Sequence, residues 1–352
     1  MPSVKEPLLK LAKQGTLSDY VTVVAWSPDG TIAASSAAGE VMLLQSEETT
    51  LLQSANGYSV DCLAFSKDGQ FLAAGGQDGG VNIWQLNTGE LIASLKNAPN
   101  WVDQMAWSRS SNLLAFSLGR FVQVWDADQR EIAATLDFAE SSVLNINWHP
   151  NGQGLTVGGY QGVKIWNPQD WDDDPYMMSV DSASLAIAWS PDGKYLASGN
   201  LDRTITVLEW NNPHPWIMRG FPGKIRHLAW SQALTKTGAP LLASASAECI
   251  VVWEKHPDVS RAWEGRVIER HTEVVQAITF QPNTFLLASA SEDGCVCLWH
   301  KAKSIAQNLS GAPDGFSCLG WHPQGHQLAA GGNNGEILIW SPSQRGQGFG
   351  RR

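Results

Sequence analysis

Short apolar segments recur along this chain, each ending in an aromatic residue and followed by a polar turn. Around Phe65, residues 60–65 read Val-Asp-Cys-Leu-Ala-Phe and residues 66–69 read Ser-Lys-Asp-Gly. A segment of small residues follows at 71–75, and after a second Asp-Gly turn a third segment ends at Trp84. Short apolar runs bounded by Gly and Asp predict β-strands joined by tight hairpins.

The same unit returns eight times. Its first segments end at Trp26, Phe65, Trp107, Trp148, Trp189, Trp230, Phe280 and Trp321. The intervals are 39 to 42 residues long, apart from one of 50 residues between Trp230 and Phe280. A period of about 40 residues is typical of a repeat architecture in which each unit is one four-stranded blade. The pattern therefore predicts an all-β fold whose repeat fills residues 8–342.

These units resemble the WD-repeat (WD40) family of β-propellers, because the turns, the small-residue second strand and the Trp that ends the third strand recur together. The Trp-Asp pair ends a third strand only at Trp125 and Asp126, and no unit has the family's Gly-His pair ahead of its first strand. The resemblance implies a structural tetrad of hydrogen-bonding side chains, and only the seventh unit has candidates for all four: His271, Ser289, Asp293 and Trp299. The Trp-Ser-Pro-Asp-Gly turns look like those of bacterial members.

The number of blades follows from the eight first strands. The chain stops after the third strand of the eighth unit, at residues 337–340, so the last blade lacks an outer strand. Residues 7–15 could supply it, which would close the ring and leave no exposed sheet edge. We predict a closed eight-bladed β-propeller of four-stranded antiparallel blades as one domain over residues 1–342, with seven blades plus a stray hairpin as the alternative. Residues 343–352, basic and Gly-rich, are predicted to form a flexible tail.

Composition narrows the classes of partner and compartment. Lys+Arg 24 against Asp+Glu 34 gives a net charge of −10, which disfavours nucleic acid as a partner. The five cysteines have the spacing of neither a disulfide framework nor a zinc site, and they suit a reducing compartment. No apolar run reaches the length of a signal peptide or a membrane helix. The sequence predicts a cytoplasmic protein without membrane insertion that is monomeric by itself.

Motifs of catalysis and of cofactor binding are missing from the sequence. It has no nucleophile elbow, no His-Glu-x-x-His pair and no phosphate-binding loop, and its Gly-rich stretches lie at hairpin turns. Cys295, Cys297 and His300 come closest to a metal site, but strand alternation turns His300 away from the two thiols. We therefore predict no enzyme activity, no cofactor and no metal.

The Trp residues separate into structural and surplus ones. Of the 17, twelve end a first or a third strand. Four of the other five fall between the third and outer strands of units four to six, on one rim of the ring: Trp171, Trp210, Trp216 and Trp263. Trp is enriched at interface hot spots because it buries a large area with one polar handle. We predict a partner-binding surface on this lower rim; the alternative is that these side chains fold back and cap their blades.

The top face is formed by the loops before each first strand and by the turns between second and third strands. The resemblance implies that partners bind on this face. Its aromatic and cationic residues are Tyr20, Tyr58, Trp101, Arg120, Tyr160, Arg203, Lys224 and Arg226. Aromatic residues with arginines are expected of a protein-binding patch, and clustered cations on an acidic protein suit an acidic partner surface. A solvated rim is the alternative.

What the resemblance implies about function is a non-catalytic protein–protein interaction scaffold that assembles, or is an accessory factor of, a multiprotein complex. The alternative is an enzyme or a metal-handling accessory protein with a ligand in the propeller channel. For the metal, Cys62, His227 and Cys318 share one first-strand position in units two, six and eight.

Overall fold

The computed structural model describes residues 7–45, 48–139, 141–258 and 261–343, and the regular structure in these ranges is entirely β-strand. In chain order, the strands up to residue 179 are β1 (Leu9–Thr16), β2 (Val21–Trp26), β3 (Ile32–Ser36), β4 (Val41–Leu44), β5 (Thr49–Gln53), β6 (Val60–Phe65), β7 (Phe71–Gly76), β8 (Gly80–Gln85), β9 (Glu90–Lys96), β10 (Met105–Trp107), β11 (Leu113–Leu118), β12 (Phe121–Asp126), β13 (Glu131–Asp137), β14 (Asn145–Trp148), β15 (Leu155–Gly159), β16 (Gly162–Trp166) and β17 (Tyr176–Ser179). They are followed by β18 (Ser184–Trp189), β19 (Tyr195–Asn200), β20 (Ile205–Glu209), β21 (Trp216–Met218), β22 (His227–Leu234), β23 (Pro240–Ser246), β24 (Cys249–Lys255), β25 (Trp263–Ile268), β26 (Val275–Phe280), β27 (Leu287–Ser291), β28 (Val296–His300), β29 (Ser304–Leu309), β30 (Phe316–Trp321), β31 (Leu328–Gly332) and β32 (Glu336–Pro342). The predicted tail, apart from Ser343, lies outside the described residues.

The strands form eight four-stranded antiparallel sheets, which we number as blades 1 to 8 in the order of their innermost strands. Seven blades are consecutive in the chain: β2–β5, β6–β9, β10–β13, β14–β17, β18–β21, β22–β25 and β26–β29. Blade 8 has the order β30, β31, β32, β1, and β1 pairs with β32 from Leu9 opposite Pro342 to Thr16 opposite Glu336. Each innermost strand contacts the next, and β30 contacts β2. The predicted fold class, a closed eight-bladed propeller, is confirmed.

Small residues in the second strands let neighbouring blades pack closely. A Cβ placed on Gly75 of blade 2 would lie 2.7 Å from Val102 Cγ1 in the loop that enters blade 3. Likewise, a Cβ on Gly199 of blade 5 would lie 2.7 Å from Ile225 Cγ2 at the entrance to blade 6. Both neighbours are fully buried. A larger side chain at either glycine would force the blades apart, because close-packed interiors have little room to yield.

The Trp residues that end the innermost strands also link successive blades. Four of their indole N–H groups donate to a main-chain carbonyl on the innermost strand of the preceding blade, one residue before its own terminal aromatic. These bonds are Trp26 to Gly320 (2.9 Å), Trp107 to Ala64 (2.9 Å), Trp148 to Ala106 (2.9 Å) and Trp230 to Ala188 (3.0 Å). The first of them crosses the closure between blades 8 and 1. These four Trp residues therefore join neighbouring blades by hydrogen bonds around the ring.

No helix in the described part of the chain could span a membrane.

Candidate functional site

Blade 7 contains a chain of four hydrogen-bonded side chains. Trp299 Nε1 donates to Ser289 Oγ (2.8 Å), which lies 2.7 Å from His271 Nε2. His271 Nδ1 in turn lies 2.9 Å from Asp293 Oδ2. The structure thus brings together the four residues of the expected tetrad, which join the loop before β26 to the turn between β27 and β28.

The donor and acceptor of each hydrogen bond in this set of four side chains follow from the indole of Trp299. Because an indole N–H can only donate, Ser289 keeps its own O–H for His271 Nε2, and the imidazole carries its proton on Nδ1. Burial lowers the pKa of His271 by more than the neighbouring Asp293 raises it, so the ring is neutral near pH 7. A neutral, fully bonded and buried histidine is a structural group, and it stiffens the top face of blade 7.

On the lower rim, three of the surplus Trp residues make one repeated contact. Each packs, edge to face, on the Trp that ends the innermost strand of its own blade. The ring centroids are 6.3 Å apart for Trp148 and Trp171, 5.2 Å for Trp189 and Trp210, and 5.5 Å for Trp230 and Trp263. Since blades 4, 5 and 6 all have this pair, the extra Trp residues are part of the blade packing.

Trp263 requires a correction to the predicted lower-rim surface. It lies in β25, is only 6% exposed and also packs against Tyr195 at 5.4 Å, so a partner cannot reach it. Trp171, Trp210 and Trp216 are half-buried. These contacts support the alternative that the side chains cap their blades. Partner binding by the exposed edges of the last three stays a prediction.

The aromatic residues predicted for the top face differ in exposure. Tyr58, Trp101 and Tyr160 are 56%, 55% and 59% exposed. Tyr20 is half-buried at the entrance to blade 1, and burial is the largest cause that raises its pKa. The first three are therefore free to contact a partner, whereas Tyr20 forms part of the wall between blades.

Among the top-face cations, Arg120 already has an ion-pair partner. Its guanidinium forms an ion pair with Asp137 (3.3 Å) and lies 4.8 Å from the ring centroid of Phe121. All three residues belong to blade 3. This arginine is thus held against its own blade, although both members of the ion pair are solvent-exposed and the pair contributes little stability.

Arg203, Lys224 and Arg226 instead converge on one open depression of about 810 Å³, which spans the tops of blades 5, 6 and 7. Arg203 comes from the turn between β19 and β20, and the other two flank the entrance to β22. Leu201 and Val274 add exposed apolar surface to the same depression. Within the described ranges, none of the three cations forms an ion pair. We call this set of residues the basic depression.

Buried groups hold the loop that carries two of these cations. Ile225 is fully buried between Lys224 and Arg226, and both flanking residues are exposed. Ahead of them, the Gly223 N–H donates to Ser246 Oγ (2.9 Å), and this hydroxyl donates back to the Gly223 carbonyl (2.7 Å). The loop is therefore preorganised, which reduces the entropy lost when a partner binds.

The turn that carries Arg203 is held by a polar network. The buried amide of Asn200 donates to Thr204 Oγ1 (2.9 Å) and Thr206 Oγ1 (3.2 Å), and Thr204 Oγ1 donates to Asp202 Oδ1 (2.7 Å). Arg203 itself has a φ of 67°, a conformation that non-glycine residues adopt seldom. A fully bonded network beneath the turn holds it in this conformation.

Charge in the basic depression is not compensated by its own walls. Among the described lining residues Glu292 is the one carboxylate, and it accepts a hydrogen bond from Gln276 Nε2 (2.6 Å). Burial and the nearby Arg226 guanidinium lower the pKa of His227 to about 4, so its imidazole is neutral at pH 7. Three cations against one carboxylate give positive potential on the surface of an acidic protein, and an acidic partner segment would complement it.

The residues proposed for a channel metal do not form a site. Among described residues, no group of three or more His, Cys, Asp or Glu side chains could hold a metal ion. Burial raises the pKa of Cys62 well above its ordinary value and that of Cys318 to about 11, so both thiols stay protonated and unreactive at pH 7. Cys297 is fully buried, whereas His300 is exposed, as strand alternation predicted.

Sequence reasoning found the members of the basic depression but not the depression itself. It grouped eight top-face residues without separating Arg120, which is paired, from the unpaired cations. A signal was available, since Arg203 belongs to unit five and Lys224 and Arg226 to the entrance of unit six. Neighbouring units of a propeller are neighbours in space, so charges in successive units add together.

Two family models match parts of the chain. The model described as WD domain, G-beta repeat, matches residues 180–208, 264–300 and 303–341, mostly in blades 5, 7 and 8. The model described as the WD40 domain of anaphase-promoting complex subunit 4 matches residues 51–110, from the outer strand of blade 1 into blade 3. No curated protein matches the chain. The matches do not bear on a bacterial origin, which stays a prediction.

Proposed function

Since the chain belongs to the WD-repeat family of β-propellers, we propose that it is a non-catalytic scaffold that binds one or more proteins and assembles, or assists, a multiprotein complex. Propellers of this family are typically interaction scaffolds, because a rigid ring of blades carries loops that vary without disturbing the core. The partner surface in this proposal is the basic depression, and its occupant is an acidic segment of a protein.

The observation that carries the proposal is that Arg203, Lys224 and Arg226 surround one large depression and form no ion pair with any described residue. Exposed surface cations on a protein of net charge −10 gain little unless a ligand pairs with them. Arg guanidinium groups bind carboxylates in bidentate geometry, and the apolar Leu201 and Val274 between the cations add contact area. The exposed Tyr58, Trp101 and Tyr160 offer a second contact region for a large partner on the same face.

Membership of a complex is supported by the match of residues 51–110 to the WD40 domain of a complex subunit. The proposal includes a cytoplasmic location. It also includes a monomeric chain, since the ring closes on itself and leaves only the short outer strands of the blades as sheet edges. Catalysis and metal handling find no support in the described residues, where the channel thiols are protonated and form no metal-binding group.

Affinity capture from the native host with an amine-reactive crosslinker, read by mass spectrometry, tests the proposal. The wild type is compared with an Arg203→Glu/Arg226→Glu variant. A Lys194→Glu/Lys303→Glu variant is the matched control, because it makes the same change in charge at exposed turns on the lower face. We expect one stoichiometric partner, crosslinked through Lys224, that is lost in the first variant and retained in the control.

Three results would contradict the proposal in different ways. A partner lost equally in both variants would mean that net charge, not the basic depression, drives binding. If the top-face variant retains the partner and the crosslinks involve lower-face lysines, the partner-binding site lies on the lower rim. No partner in any preparation would contradict the scaffold itself.

A further inference from the structure

One position on the lower face differs between the blades. It lies two residues after the aromatic residue that ends each innermost strand. Five blades have proline there: Pro28, Pro150, Pro191, Pro282 and Pro323. Blade 6 has Gln232, and the adjacent blades 2 and 3 have Lys67 and Arg109. The Asp that follows this position in blade 2 is replaced in blade 3 by Ser110. Two neighbouring blades thus carry cations where most of the ring carries an uncharged turn residue.

These two cations line a cavity of about 410 Å³ at the lower mouth of the channel. The rest of its wall comes largely from the aromatic ends of the innermost strands of blades 1 to 4: Trp26, Phe65, Trp107 and Trp148. Its described lining residues include no Asp or Glu. The volume lies within the range of small-ligand sites, which are apolar cavities with a few placed polar groups.

Some hydrogen-bonding groups of the cavity wall bind main-chain carbonyls, and others have no partner among the described residues. The indoles of Trp26, Trp107 and Trp148 already donate to carbonyls of the preceding blades. Trp107 and Trp148 are buried, so the half-buried Trp26 and Phe65 supply the apolar surface of the cavity. By contrast, the side chains of Lys67 and Arg109 make neither a hydrogen bond nor an ion pair within the described ranges. Cationic and apolar recognition are therefore both available in the cavity.

The polar neighbours in the same turns do not neutralise the cations. Asp68 accepts hydrogen bonds from Ser66 Oγ (2.7 Å) and from the Gln70 N–H (3.0 Å), which directs the carboxylate into its own turn. Asn147, on the innermost strand of blade 4, adds an amide to the lining that has no partner among the described residues. It can donate to, or accept from, a ligand.

We propose that this lower-mouth cavity binds an aromatic phosphate of the size of a nucleoside monophosphate. The phosphate lies between Lys67 and Arg109, which bind it through charge-assisted hydrogen bonds. The planar ring packs on the half-buried Trp26 and Phe65, and Asn147 contacts its polar edge. The site is on the face opposite the basic depression and does not depend on the scaffold function.

Isothermal titration calorimetry at low ionic strength tests this with AMP, GMP, CMP and UMP as separate probes, beside adenosine and inorganic phosphate. The decisive variant is Lys67→Pro/Arg109→Pro, which restores the residue of five other blades. It should fold, because the main-chain N–H groups of both residues make no hydrogen bond among the described residues and proline suits this turn position. The control is Lys194→Gln/Lys303→Gln, which removes the same number of cations from exposed turns of the lower face outside the cavity.

We expect at least one nucleotide to bind, more tightly than adenosine or phosphate by about tenfold or more, and to weaken as salt is added. The proline variant should lose at least about tenfold in affinity with an unchanged melting temperature, and the control should bind as the wild type. Failure of all four nucleotides, equal binding of phosphate alone, or full affinity in a folded proline variant would overturn the proposal. None of these results would alter the capture experiment on the top face.

Discussion

Surplus aromatic residues lie on both faces of this ring, but the two faces use them differently. Trp263 on the lower rim is 6% exposed, whereas Trp101 on the top face is 55% exposed. Trp263 covers the indole of Trp230, while Trp101 makes no ring contact among the described residues. An aromatic residue in a loop therefore indicates a partner surface only when the packing beneath it is already complete.

The largest expected effect is a difference in the free energy of unfolding between the alanine variants of these two residues. Trp263→Ala should lower the free energy of unfolding by about 3–5 kcal/mol, since it opens a cavity over Trp230 and Tyr195. Trp101→Ala should change it by less than about 0.5 kcal/mol. Urea denaturation followed by circular dichroism measures both. A similar loss in the two variants would show that Trp101 also caps its blade.

The next effect concerns the neutral His227 below the basic depression. Its folded pKa of about 4 lies below the ordinary histidine value of 6.5. Between these two values the unfolded chain binds more protons, so the stability contributed above pH 6.5 is lost as the pH falls towards 4. From the pKa shift, the loss reaches about 3 kcal/mol.

Denaturation curves between pH 7 and 4 measure that loss, with His227→Gln as the comparison. The variant should have a flatter pH dependence in this window, because the group responsible is gone. Arg226→Gln should raise the pKa of His227, measured by NMR titration, since it removes a neighbouring positive charge. An unchanged slope in the His227 variant would assign the acid sensitivity to other groups.

The smallest effect concerns the indole links between blades. Trp107 donates to the Ala64 carbonyl, whereas the buried Nε1 of Trp321 has no partner among the described residues. Both Trp→Phe changes remove similar volume, but only Trp107→Phe breaks a hydrogen bond. We expect it to cost about 1 kcal/mol more than Trp321→Phe in thermal or urea unfolding. Equal costs would mean that the indole links add no net stability.

Much of the fold could be predicted because its information is local and repeated. The turn after Phe65 and the small residues at 71–75 specify a hairpin, and a period of about 40 residues implies that each hairpin belongs to a blade. The tetrad of blade 7 was also identified, since the resemblance assigns each member a fixed place in its unit. The indole links were not predicted, because the acceptor of Trp107 lies 43 residues earlier, in another blade.

For the surfaces, the sequence identified candidate binding residues but did not show which of the cations are paired. Arg120 and Arg203 occupy comparable turns between second and third strands, yet only Arg120 has a carboxylate, Asp137, opposite it in its own blade. Whether a cation is paired depends on which side chain stands across the sheet or on the next blade. Residue type alone does not contain that information.

By itself, the sequence determined the strands, the turns, the number of units and the absence of known catalytic motifs, because each of these depends on residues close together in the chain. The tertiary structure alone decided which aromatic residues are covered, which cations stay unpaired, and that Lys67 and Arg109 face a common cavity. Exposure and pairing depend on contacts between blades, and those contacts join residues about 40 positions or more apart.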